Sequence, residues 1–247
     1  MLGFLDGLLE PDRFDDLGPN GLQVPGRREV GHVVTGVSAH AELFRRALAE
    51  EADLVLVHHG LLWDFHPRRI DRRQAARLRL LLENEVSLVA YHLPLDAHPV
   101  VGNNALIAAG LGCGPTEPFG LYRGSPIGVA ARFEPDGIDA PELVHRVTAL
   151  TGREPLVFDA GPQRVRSIAI VSGAAAGEVT VAADAGHDAF LTGEPAEHVM
   201  AVAREAGIHF IAAGHYATET FGVRRLGELL EAELGLRHTF LDVPNPV

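Results

Sequence analysis

Asp53-Leu54-Val55-Leu56-Val57-His58-His59-Gly60 is a run of aliphatic, largely β-branched residues that ends abruptly in two imidazoles and a glycine. A continuously apolar run of this length fits a strand covered on both faces by helices, as in parallel sheets. The carboxyl ends of such strands are where α/β proteins gather ligand-binding groups. Two more runs end the same way. VSLVAY (86–91) leads into His92-Leu93-Pro94-Leu95-Asp96-Ala97-His98, and IHFIAAG (208–214) leads into His215-Tyr216-Ala217-Thr218-Glu219.

Strand-like runs recur at 30–38, 53–58, 86–92, 127–133, 166–172, 188–193, 208–214 and 237–243. They alternate with helical stretches at 40–51, 72–84, 103–111, 140–151, 176–185, 196–206 and 216–234. This alternation predicts an α/β fold with a parallel or mixed sheet flanked by helices. Asp139-Ala140-Pro141-Glu142 reads as a helix start with Asp139 as N-cap. Segments rich in glycine and proline at 10–28, 93–102, 112–126 and 159–164 read as loops. GCGPTEPFGLYRGSP breaks the periodicity and suggests two lobes, residues 1–115 plus 213–247 holding the metal ligands and residues 116–212 inserted between them.

Composition excludes several chemistries. All 21 basic residues are arginine, so a lysine Schiff base and a P-loop lysine are both ruled out. Ser38 in GVSAHA lacks the nucleophile elbow. The single cysteine, Cys113, has no intramolecular disulfide partner and reads as a packed turn residue. A net charge of −12 argues against nucleic acid and anionic lipid as partners. No apolar run reaches membrane-span length, and the first residues do not resemble a signal peptide, which together predict a cytoplasmic protein with no membrane partner. One stretch runs against the acidic balance: Arg68, Arg69, Arg72, Arg73, Arg77 and Arg79 follow HHGLLW, either as a solvated helix face or as contacts for a substrate phosphate.

The three strand ends supply three imidazoles and two carboxylates: His58, His59, Asp96, His215 and Glu219. Imidazole and carboxylate without thiolate suit two divalent ions, zinc, iron or manganese. Five ligands are too few for two closed sites and about right for two open ones sharing a carboxylate and a water, an arrangement that supports hydrolysis. Gly60 would permit the turn that brings both imidazoles to one pocket. His215 and Glu219, four apart, would share a helix face. Taken alone, Asp96 could instead cap the helix near 103. His92, His98 and Glu194 are candidate acid, base or histidine-orienting groups. VSGAAAG, with Gly173 and Gly177, reads as a close-packing turn.

NGLQV (20–24), LVLVHHGLLW (54–63), YHLPLDAHPVVGNNALIA (91–108), LTGEPAEH (191–198) and GHYATETFGV (214–223) together resemble the NIF3-like proteins, also known as GTP cyclohydrolase 1 type 2 homologs. The resemblance implies a NIF3-like fold of two α/β lobes with mixed sheets flanked by helices, the second lobe inserted in the first, and a toroidal homohexamer. It also implies a dinuclear metal centre at the five positions above, with Gly60 where many members have proline. The implied activity is metal-dependent hydrolysis of a phosphorylated or nucleotide-like small molecule. Metal handling without turnover is the alternative, and a toroidal scaffold around nucleic acid sits poorly with the charge.

Overall fold

The computed structural model describes residues 1–67 and 69–247. The chain divides into two compact units, residues 1–95 with 222–243 and residues 96–221 with 244–247.

The first unit is built on a five-stranded sheet. Strands His32–Ser38, Leu54–His59, Ser87–Ala90 and Arg237–Phe240 run parallel, and Gly21–Val24 closes one edge antiparallel to Ser87–Ala90. The apolar residues of the central strands are buried throughout, as the unbroken apolar runs predict, and of Leu54–His59 and Ser87–Ala90 only His59, at the end of its strand, is partly exposed. Val34, Val55 and Val57 pack with Leu43, Phe44 and Ala47 of helix Ala41–Ala49 and with Leu81 of helix Arg72–Leu82. His40 caps the first of these helices by accepting from Leu43 N, and Asp71 caps the second by accepting from Gln74 N. Arg68, part of the arginine-rich stretch, lies outside the described residues.

The second unit carries a six-stranded mixed sheet. Its centre is the parallel set Ser167–Val171, Ala189–Thr192 and His209–Ala212, flanked by the antiparallel hairpin Glu117–Tyr122 and Ser125–Arg132 on one side and by Leu156–Phe158 on the other. Alternate residues face opposite layers. Ile168 and Ile170 pack with Leu143 and Val147 of helix Ala140–Thr151 and with Ile107 of helix Asn103–Gly110. Ala169 and Val171 pack with Val179 and Val199 on the other side.

All eight expected strands form, and both sheets are mixed. The compact units divide the chain after residues 95, 221 and 243. Ile107, Ala108 and Leu111 bury against the second sheet, which takes helix Asn103–Gly110 into the second unit. His215 and Glu219, which directly follow a central strand of that sheet, go with it. The ligand candidates are therefore shared out, His58 and His59 in the first unit and Asp96, His215 and Glu219 in the second. Asp139 occupies the N-cap position as expected, but its carboxylate bonds Arg164 at 3.0 Å rather than the helix. No helix among the described residues is long and apolar enough to cross a membrane.

Candidate metal centre

In the first unit, sheet register fixes the imidazole pair. Ser38 lies opposite His59 across the parallel ladder, and Val57 lies opposite Ala90, one residue before Tyr91. Each histidine is gripped through Nδ1. His58, fully buried, meets the Tyr91 carbonyl at 3.0 Å, and His59 meets Ser38 Oγ at 3.0 Å. A carbonyl only accepts, so His58 Nδ1 carries the proton and Nε2 the lone pair, the form in which an imidazole could hold a metal.

A third imidazole joins them. The ring of His92 lies 5.0 Å from that of His58 and 5.6 Å from that of His59, and the three residues offer ligand atoms within 4.8 Å of one another. His92 Nδ1 meets Asp16 Oδ1 at 2.7 Å. Burial opposes ionisation of Asp16, but bonds from His92, Asn20 and the Leu17 amide hold its carboxyl below the usual range, so it is a carboxylate that orients the imidazole. Asn20 completes the clamp by accepting from His92 N at 2.8 Å and donating to Asp16 at 2.9 Å.

Gly60 has a role other than the expected one, since its backbone is not left-handed. A Cβ at Gly60 would come within 2.3 Å of the Gln23 amide, whose Oε1 accepts from Leu61 N and Leu62 N. The glycine makes room for the side chain that pins the loop after His59.

In the second unit, Val171, Thr192 and Ala212 stand in register at the ends of the three parallel strands. Ser172-Gly173, Gly193-Glu194 and Gly214-His215 therefore emerge side by side. His215 Nδ1 meets Glu194 Oε1 at 2.5 Å, and its Nε2 lies 3.1 Å from Glu219 Oε1. The i,i+4 pairing is as expected, although helix His215–Thr218 stops at Glu219 and a second helix starts at Thr220. Asp96 is buried and accepts at Oδ1 from Asn103 Nδ2 at 2.8 Å and Ser172 Oγ at 2.9 Å. It does not cap helix Asn103–Gly110, whose N-cap, Gly102, makes no side-chain capping bond. His98 accepts from Val100 N and Val101 N through Nδ1, which ties the candidate acid-base residue into a turn. Cys113 fits the packed role, burial pushing its thiol up to about 12 against the pull of Arg146.

The donor set suits a divalent ion: imidazoles anchored through one nitrogen, and buried carboxylates whose charge is costly without a cation. The site residues that escaped sequence reasoning are Asp16, Asn20, Gln23, Ser38, Tyr91, Ser172 and Asn103. Asn20, Gln23, Tyr91 and Asn103 lie in motifs that carry the family resemblance, whereas Asp16 lies in none.

The family model for Duf34/NIF3 (NGG1p interacting factor 3) matches residues 1–246. The chain belongs to this family. A relative from Pseudomonas aeruginosa, named GTP cyclohydrolase 1 type 2 homolog, is 44% identical, the match covering 98% of this chain and 95% of the relative. Among solved structures, protein ybgI, of unknown function, matches with a TM-score of 0.93 at 39% identity, covering 100% of this chain and 98% of that one. TTHA1606 from Thermus thermophilus matches with a TM-score of 0.90 at 39% identity and the same coverage.

One titration bears on metal uptake. Burial alone would lower the pKa of His215, but Glu219 and then Glu194 outweigh it and raise the pKa to about 9. In the metal-free chain this shift stabilises the fold fully below the ordinary histidine value, and the contribution fades as pH climbs through about 9. An ion bound at His215 must displace that proton below about pH 9. Apparent metal affinity is thus expected to rise about tenfold per pH unit between about pH 7 and 8.5, as read by chelator competition. A profile flat over that range would count against His215 as a ligand.

Proposed function

We propose that the half-sites of this NIF3 family member combine into one dinuclear centre, with His58, His59, Asp96, His215 and Glu219 as ligands, and that the protein is a metal-dependent hydrolase of phosphorylated or nucleotide-like small molecules. The observation that supports the reading is the uniform anchoring of the imidazoles: Tyr91 O, Ser38 Oγ and Glu194 each meet an Nδ1, which leaves Nε2 as the nitrogen offered to an ion. When bound, two divalent ions acidify a shared water and polarise the bond it attacks.

The chain's own part is positional. Ser38 and the Tyr91 carbonyl fix the orientation of His59 and His58. Ser172 and Asn103 hold the Asp96 carboxylate through Oδ1, and Glu194 fixes His215. Asp16 fixes the His92 ring beside the other two imidazoles, within reach of the centre, as an acid-base group. The names of the curated relatives favour a purine nucleoside triphosphate as the substrate to try first. The assembly that goes with this reading is the homohexamer, and zinc, iron and manganese are the ions to test.

The experiment is turnover of GTP by full-length protein loaded in turn with each ion, beside Asp96→Ala. Turnover that follows metal content is expected. If wild type binds metal stoichiometrically yet leaves GTP and other nucleotides intact, the hydrolase reading fails and metal handling replaces it.

A further inference from the structure

The segment between strand Leu54–His59 and the second turn of helix Arg72–Leu82 inverts the charge of the molecule. From His66 to Arg79 it holds six arginines and one carboxylate, Asp71, in a chain of net charge −12. Within the first unit, Arg69, Arg73 and Arg77 line a hollow of about 450 Å³ together with His66, Gln74 and Asp71. Asp71 answers one of these charges, its Oδ2 lying 3.3 Å from Arg73, while its Oδ1 caps the helix. Arg69 and Arg77 have no carboxylate partner among the described residues. Guanidinium groups gathered without counter-ions repel one another, and their planar forks match phosphate oxygens.

A second observation says where the hollow leads. Trp63 stands edge-on to His92, with ring centroids 5.1 Å apart, and stacks on Phe65 at 5.5 Å and 26°. Phe65 in turn meets His66 at 4.9 Å, and His66 lines the hollow. An aromatic ladder therefore runs from the imidazole cluster to the arginines. Phe65 is 64% exposed, a large apolar ring held in water where a planar ligand would cover it.

We propose that the hollow is an oligophosphate-binding subsite, with Arg69 and Arg77 as the main contacts, and that the Trp63–Phe65 face takes the planar ring of the ligand between the phosphates and the imidazole cluster. This inference rests on the hydrolase reading only for its substrate class, because the binding it predicts needs neither bound metal nor turnover.

Trp63 is the only tryptophan, so its fluorescence reports on the subsite directly. The probe is inorganic tripolyphosphate added to chelator-treated full-length protein at low ionic strength. Saturable binding that weakens with salt is expected. Arg69→Ala/Arg77→Ala should weaken it at least about tenfold, and the remote Arg204→Ala should leave it unchanged. Asp71→Asn, which keeps a capping side chain, should tighten it severalfold by removing the competing charge. A nucleoside triphosphate should bind more tightly than tripolyphosphate, and Phe65→Ala should abolish that margin.

No binding by wild type, or equal losses in the Arg69/Arg77 and Arg204 variants, would overturn the subsite. Equal affinity for the two probes would overturn the placement of the ring. Binding with the expected variant pattern but without turnover in the metal-loaded protein would leave the subsite standing while the hydrolase reading falls.

Discussion

Asp96→Ala is expected to lose metal affinity at least about a hundredfold, beyond the roughly 10- to 100-fold range typical of substitutions around a metal's ligands. Truncation also strands the Asn103 amide and the Ser172 hydroxyl, which now donate to Asp96 at 2.8 and 2.9 Å inside the protein. Stranding them costs about 1–3 kcal/mol. Loss of metal in the alanine variant would therefore confound ligation with stability, and Asp96→Asn separates the two. An asparagine keeps the volume and one acceptor oxygen for those donors but removes the anionic charge. If Asp96 serves as a ligand, the asparagine variant unfolds thermally close to wild type when both are metal-free and still binds metal poorly by elemental analysis. If Asp96 is only an internal acceptor, the asparagine variant retains its metal, and the five-ligand centre is wrong at this position.

The parts of the site that can be read from the sequence sit at the ends of the apolar strands. DLVLV, VSLVAY and IHFIAAG announce buried strands by composition, so the polar residues that follow them are placed without knowledge of the pairing. The supporting residues are set by register and by long-range contact, which local pattern does not encode. Asp16 reaches His92 across 76 positions, as Ser172 does Asp96. In the stretch DDLGPNG, nothing local distinguishes Asp16 from Asp15. The strands that composition does not reveal are edge or short antiparallel ones. Glu117–Tyr122 contains Pro118 and Gly120, and Gly21–Val24 follows a Gly-Pro turn, so punctuation that ordinarily marks loops hides both. The composition break at 112–126 falls at the edge hairpin of one sheet, within one unit, whereas the chain passes between units inside the short helix Leu93–Ala97, where the residues show no break in pattern.

Gly173→Ala should abolish metal binding although every proposed ligand remains. Gly173 has φ +68, and a Cβ there would fall 2.5 Å from Glu219 Oε1 and 3.3 Å from His215 Nε2. The peptide cannot move aside. Its carbonyl accepts from Gly193 N at 2.8 Å, Glu194 N at 3.0 Å and Thr192 Oγ1 at 3.1 Å, and its amide donates to Thr218 Oγ1 at 3.2 Å. Glu219, only 2% exposed, has to yield instead. The backbone term alone costs about 1–2 kcal/mol for a non-glycine residue in left-handed conformation. Gly124→Ala supplies the control, because Gly124 has φ +88 with nothing within 4 Å of its would-be Cβ. Both variants should lower the unfolding midpoint, but only Gly173→Ala should lose metal, at least about a hundredfold in affinity, because the methyl group occupies the space of the oxygen proposed as a ligand. Equal metal content in the two variants would show that Glu219 can bind its ion from another position and that the close packing at Gly173 serves the strand ends alone.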